Sequence, residues 1–193
     1  MTQKINTNEK IIYATLKLAE TTEWCEVTME NIAKAANIEP DALIKNFKSK
    51  LTILDAYNQQ LDKQMLIEFS DIKKADSIRE QLFEILMSRF DTLNKNKIAL
   101  KSIYKGTVLI DPLASTWGLK SLINSMQVAL KIIGTPTSTP IGCVKTKILG
   151  LIFMRSFITW IEDQSPDMSK TMSKLDADLA KAELLSRSIP GIN

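Results

Sequence analysis

The 193-residue sequence contains no histidine. That absence removes the commonest general base, the usual Ser-His-Asp type of triad and nearly every ordinary zinc site, so no catalytic centre, metal or cofactor is expected. Cysteine is nearly as scarce. Cys25 and Cys143 lie far apart and neither belongs to a Cys-x-x-Cys pair, a usage that fits a reduced cytoplasm. No glycine occurs before Gly106, so the first half is built almost wholly from residues that a helix accepts. Long uncharged apolar runs are missing too. The most apolar stretch, Ile141 to Ile161, is interrupted by Lys145, Lys147 and Arg155. Each such charge costs about 2.5–3.5 kcal/mol at a bilayer centre, so no membrane span is expected. The opening MTQKINTNEK lacks the apolar core of a secretory signal. The expectation is a soluble, cytoplasmic, non-enzymatic protein.

What is present is close to average for a globular chain. Apolar residues make up 45% and charged residues 24%, which argues against disorder over most of the length. Twenty-five Lys and Arg against 22 Asp and Glu leave a formal charge of +3, which permits anionic partners without requiring them. The length suits one or two small domains.

Helical spacing recurs along the chain, and no segment alternates with period two between hairpin turns. Ile12, Leu16 and Ala19 mark a first helix from about Asn8 to Thr22. Met29 to Ala36 fits a second, with Thr28 as N-cap and Asn37 at the tight turn that follows. Pro40 to Phe47 fits a third, its proline at the first position, where a missing N–H costs nothing. Ser49 caps a much longer helix from Lys50 to about Phe69. Ile78, Leu82, Ile85 and Arg89 form one stripe of the next, and Phe83, Met87 and Phe90 a neighbouring one. Pro112 breaks the chain after a shorter helix near Lys97 to Tyr104. Ile123, Met126, Leu130 and Ile133 mark another, which ends at the segment Gly134 to Pro140. A helix of about two dozen residues follows, about 36 Å long at about 1.5 Å per residue. Ser165-Pro166-Asp167 then interrupts the chain before a last helix to about Arg187. The fold class expected is all-α, with about nine helices.

Two short helices joined by a tight turn, after a scaffold helix, describe a helix-turn-helix DNA reader. Fixed-spacing elements make the pattern specific. They are Glu20-x3-Trp24, Val27-Thr28-Met29, Asn31-Ile32-Ala33-x2-Ala36, Ile38-x-Pro40, and Phe47-x-Ser49-Lys50 followed by Leu51 and Leu54. Together they resemble the DNA-binding region of the TetR family of bacterial repressors, over about 47 residues from Ile11 to Tyr57. The resemblance implies a helix-turn-helix domain over 1–52 and a ligand-binding and dimerising domain over 53–193. It also implies a homodimer that binds double-stranded operator DNA. Two recognition helices would enter successive major grooves about 34 Å apart, and an effector would weaken binding by population shift.

The DNA-contacting set expected from this resemblance is Thr28, Pro40, Asp41, Ala42, Ile44, Lys45, Asn46, Lys48 and Lys50. Thr28 and the three lysines would hold phosphates, Lys50 together with the N–H groups at its helix start. Asp41, Ala42 and Asn46 would lie nearest the bases. The chain departs from the family pattern at two points. Ile44 stands where the family usually has a tyrosine that contacts backbone phosphate, and isoleucine cannot hydrogen-bond there. Asp41 repels phosphate unless it accepts from a cytosine N4. Residues 1–50 carry seven lysines, the first of them Lys4, and seven acids, so the head is net neutral.

Two later segments carry a finer resemblance. Trp160-x2-Asp163-x-Ser165-Pro166-Asp167-x3-Thr171-x3-Leu175-Asp176-x2-Leu179-x3-Glu183 resembles the C-terminal region of an alphaproteobacterial TetR-like subgroup. So does the helix from Leu82 to Leu93. Similar segments occur in the mitochondrial lipid-binding protein of ubiquinone biosynthesis. That likeness keeps a second reading open, a lipid- or isoprenoid-binding accessory protein that no longer reads DNA. Read without any resemblance, Glu162, Asp163 and Asp167 form a solvated acidic corner.

The long helix before that corner is apolar on two stripes, Val144, Ile148, Leu151 and Ile158, then Leu149, Phe153, Phe157 and Trp160. One stripe faces a core. The other suits either a symmetric helix–helix interface or burial within one chain. Arg155 lies on the first stripe and needs an acidic partner if buried. Met87, Phe90, Trp117, Met126 and Phe153 are the residues expected to line a pocket for a largely apolar small molecule, or else to fill core.

Overall fold

The structure, a computed structural model, describes residues 7–70, 77–108 and 111–188. Among them it contains nine α-helices and no strand. They are α1 (Thr7–Thr21), α2 (Met29–Ala36), α3 (Pro40–Asn46), α4 (Lys50–Glu68), α5 (Ile78–Asn94), α6 (Lys97–Val108), α7 (Pro112–Ile132), α8 (Pro140–Glu162) and α9 (Ser169–Ser188). The all-α expectation holds, helix by helix, with ends within a turn of those expected except at α6 and α7. Pro112 does not separate α7 from its predecessor by a broad break. It is the first residue of α7 itself, and Asp111 caps it by accepting from the Ala114 N–H at 3.0 Å. Lys4 lies outside the described residues.

The chain divides into two compact units. The first unit comprises residues 1–60 together with 93–121. Its core is Ile11, Ile12, Leu16 and Ala19 of α1, Ile32, Ala33 and Ala36 of α2, Leu43 of α3, Ile53 and Tyr57 of α4, and Ala99 and Ile103 of α6. α6 packs along α1. Gly106 allows that approach, because a Cβ there would come within 2.9 Å of the Trp24 Cβ. Trp24 is itself buried, between the end of α1 and the start of α2. Asp55, Ser121 and Asn58 add a polar chain, with Ser121 Oγ donating to Asp55 at 2.9 Å and accepting from Asn58 at 2.7 Å.

The second unit comprises residues 61–92 and 122–193. Its aromatic centre is formed by Phe90, Phe153 and Trp160. Phe90 and Phe153 stack with centroids 4.8 Å apart, and Trp160 tilts against Phe90 at 6.0 Å. Leu149, Ile152 and Ile161 of α8 complete it with Met126, Ala129 and Leu130 of α7 and Leu175 and Leu179 of α9. One charge lies inside this core. Arg89 is only 5% exposed, and it donates to Asp62 at 2.6 Å and to Ser125 at 3.0 Å. Ser125 in turn donates to the second Asp62 oxygen at 3.0 Å, closing a three-residue network across α4, α5 and α7.

The corner between α8 and α9 corrects the sequence reading. Asp163 is not a solvated acid. It is buried, and its carboxylate accepts from the backbone N–H and hydroxyl of Ser165 and of Thr171. Burial alone raises the Asp163 pKa, but these four bonds outweigh it and hold the carboxyl well below the usual carboxylate range. The buried acid is thus the cap that joins two helices. Asp167 and Glu162 remain exposed.

Candidate nucleic-acid interface

The α2–α3 pair is set by local signals. The Thr28 hydroxyl accepts from the Asn31 N–H at 3.1 Å and donates to the Asn31 side-chain oxygen, fixing the start of α2. Asn37 ends that helix in the left-handed region, at φ 51° and ψ 56°. Its N–H reaches the Lys34 carbonyl and the Ile38 N–H reaches the Ala33 carbonyl, both at 3.1 Å. Pro40 then opens α3. The small residues Ala33 and Ala36, with Ile32, form the buried face of α2, and Leu43 and Phe47 are the buried anchors of α3.

Burial of Leu43 and Phe47 decides what α3 shows to solvent. Asp41, Ile44, Lys45 and Asn46 are exposed, as are Thr28, Pro40 and Lys48 around them, while Ala42 is half-buried. Ile44 is 56% exposed. Asn46 has a local commitment, since its amide donates to the Ala42 carbonyl at 2.7 Å. The start of α4 is closed by reciprocal bonds, Thr52 N–H to Ser49 Oγ at 3.4 Å and Ser49 N–H to Thr52 Oγ1 at 3.2 Å.

Lys50 behaves differently from Lys45 and Lys48. Its ammonium donates to the Trp24 carbonyl at 2.8 Å and stands 4.6 Å from the centre of the indole ring. Partial burial pushes its pKa below the ordinary lysine value. One of its three donors is therefore committed to the frame of the head.

The other expected sites are placed as follows. Met87, Phe90, Met126 and Phe153 are buried in the second unit. Trp117 is not grouped with them, since it belongs to the first unit and is 43% exposed. A shallow recess of only about 10 Å³ lies beside Arg89 and is bounded by Leu61, Gln64, Met65, Glu68, Ser88 and Thr92. None of the five expected pocket residues borders it. On α8, Val144, Ile148, Leu151 and Ile158 are all exposed, Leu151 by 61%, while Leu149, Phe153 and Trp160 are buried. Arg155 on the exposed stripe pairs with Asp178 of α9 at 3.0 Å, and Lys174 binds the same carboxylate at 2.9 Å.

The Asp62–Arg89–Ser125 network escapes sequence reasoning. Arg89 falls on the stripe of α5, but its partners lie 27 and 36 residues away. The one available signal is a cation at a position whose neighbours Ile85 and Leu82 are buried. Among the described residues no group of three or more His, Cys, Asp or Glu side chains could hold a metal ion. No helix there is long and apolar enough to cross a membrane.

No protein-family model matches the chain, and no curated protein matches it in sequence. Solved structures do match. A TetR transcriptional regulator from Nitrosomonas europaea superposes with a TM-score of 0.74 at 18% identity, over 93% of this chain and 99% of its own. One from Rhodococcus sp. RHA1 gives 0.68 at 17% identity, covering 91% and 94%. The TetR family transcriptional repressor FadR of Thermus thermophilus, solved with lauroyl-CoA, gives 0.62 at 17% identity, with 93% of both chains covered. At such identities the likeness is one of architecture: the chain has the fold of the TetR transcriptional regulators.

Proposed function

We propose that the protein is a DNA-binding transcriptional regulator of the TetR type, working as a homodimer and responding to a small, largely apolar effector. The observation that carries this reading is the face of α3. Leu43 and Phe47 anchor it inward, and Asp41, Ile44, Lys45 and Lys48 stand outward behind a capped α2 and a left-handed Asn37. In this reading residues 1–52 are the DNA-binding head and 53–193 carry regulation and dimerisation, in the cytoplasm. Thr28, Lys45 and Lys48 hold phosphates, and Lys50 positions the frame through Trp24 while lending its remaining donors. Asp41, Ala42 and Asn46 approach the bases, with Pro40 and Ile44 in the same DNA-facing set.

The second copy docks on α8 through Val144, Ile148, Leu151 and Ile158, with Arg155 beside them. Exposed aliphatic side chains at helical spacing are what a two-fold helix pair buries. The effector enters the second unit, whose apolar interior includes Met87, Phe90, Met126 and Phe153, and favours a spacing of the two heads that fits the operator less well. The lauroyl-CoA bound by the Thermus FadR supports an acyl-type effector, as does the resemblance of the Trp160–Glu183 segment to a lipid-binding protein. Repression is the mode expected of this arrangement.

The test is selection of bound fragments from the source genome by purified protein, followed by affinity for the best fragment across a salt series. A palindromic site with a steep salt dependence, shallower in Lys45→Ala and Lys48→Ala, supports the reading. A verified dimer that enriches no sequence at low salt overturns it in favour of the lipid-binding accessory protein.

A further inference from the structure

Ile44 is the large apolar side chain that α3 leaves outside. It is 56% exposed, one residue from the fully buried Leu43, and flanked by the exposed Asp41 at i−3 and Lys45 and Lys48 at i+1 and i+4. An exposed β-branched residue on a seven-residue helix brings no gain in the free protein, where its helix preference is weak and its surface is wet. A gain appears only when something apolar covers it. A duplex held by Lys45 and Lys48, just C-terminal to Ile44, offers one apolar group in its major groove, the C5-methyl of thymine.

We infer that Ile44 is a specificity residue that reads a thymine methyl in the operator half-site, one or two base steps from a cytosine read by Asp41. This rests on the operator-reading proposal above. The spacing follows from helix and duplex geometry. Three residues of helix advance about 4.5 Å, and successive base pairs lie about 3.4 Å apart. Asp41 and Ile44 share one side of α3, so they address base pairs one or two apart. Asp41 supports the same geometry from the other direction. Its exposed carboxylate is repelled by phosphate and suits the cytosine N4 amino group, so it fits this side of the helix better over base edges than over the sugar-phosphate strand. Isoleucine at this position replaces a hydrogen bond, which ignores sequence, with a methyl contact, which depends on it.

The test uses the full-length protein and the operator obtained by fragment selection. Duplexes are made in which each thymine in turn becomes deoxyuridine, a change that removes the 5-methyl and nothing else. The expected result is one thymine per half-site at which the change weakens binding about four-fold, the worth of one buried methyl. All other thymines tolerate it. In Ile44→Ala the duplexes with and without that methyl bind alike, with circular dichroism unchanged because the side chain is exposed. An operator on which no thymine-to-deoxyuridine change matters overturns the inference, as does a methyl preference that survives in Ile44→Ala. Both leave operator reading intact. A dimer that selects no duplex removes operator reading itself, and this inference with it.

Discussion

The Lys50 ammonium is bonded to the Trp24 carbonyl at 2.8 Å and rests 4.6 Å from the centre of the same residue's indole ring. One side chain thereby ties the start of α4 to the segment between α1 and α2. Trp24 is in turn held against Gly106 of α6. The lysines around α3 therefore fall into two classes, and mutation separates them. Lys45→Ala and Lys48→Ala each lower the slope of log affinity against log salt by about one, with urea unfolding unchanged. Lys50→Ala shifts urea unfolding by about 1 kcal/mol, reflecting the lost hydrogen bond and ring contact. Equal effects of all three on unfolding would contradict this division.

Asp163 predicts an acid limb in the stability profile. A carboxyl with a folded-state pKa below its unfolded value of about 3.9 contributes stability above that value. The contribution is lost as the pH falls through the folded pKa, because protonation then favours the unfolded chain. Hydrogen bonds from Ser165 and Thr171 depress Asp163 in the fold against the opposing effect of burial. Unfolding midpoints therefore decline below about pH 4. Asp163→Asn costs about 2–3 kcal/mol at neutral pH, and its acid decline is shallower. Midpoints of the two proteins that run parallel through the acid range would rule out Asp163 as the source.

The Arg89–Asp62 pair is nearly dry, with side-chain exposures of 3% and 15%. Removing only the arginine leaves a buried carboxylate facing Ser125. Arg89→Met is expected to cost about 3–5 kcal/mol in urea unfolding. The double variant Arg89→Met with Asp62→Leu recovers most of that loss, because two apolar side chains replace two charges. A double variant no better than the single one would show that the pair stabilises beyond its own neutralisation.

On α8, a charge placed in the exposed stripe tests the proposed dimer. Leu151→Glu and Ile148→Glu are expected to convert the protein to monomer in sedimentation at micromolar concentration, with helicity retained. Each alters a side chain that is open in the single chain. Operator affinity then falls, since one head alone forfeits the second half-site. A dimer that survives both changes assigns the interface elsewhere.

The periodic parts of the fold were legible in the sequence. Thr28, Asn37 and Pro40 announce the boundaries of α2 and α3 through capping and backbone preference, which act within a few residues. The two stripes of α8 separate Leu149 and Phe153 from Ile148 and Leu151, and the structure buries the first pair and exposes the second. What sequence could not supply was pairing across distance. Nothing near Lys50 indicates that Trp24, 26 residues earlier, takes its ammonium. Nothing near Asp163 distinguishes a wet acid from a buried cap, because the deciding donor, Thr171, lies eight residues on. The start of α7 was missed for another reason, since a proline ends one helix or begins the next and only the Asp111 cap decides between them.

The first unit is assembled from two stretches of chain, 1–60 and 93–121, with α1 covered by α6. During synthesis α1, α2 and α3 leave the ribosome well before α6, which closes over α1. Until α6 has emerged, Trp24 lacks Gly106 as a neighbour and α1 lacks its outer layer. The first unit therefore cannot complete its packing in strict N-to-C order. A product ending near residue 60 would leave the outer face of α1 open to water.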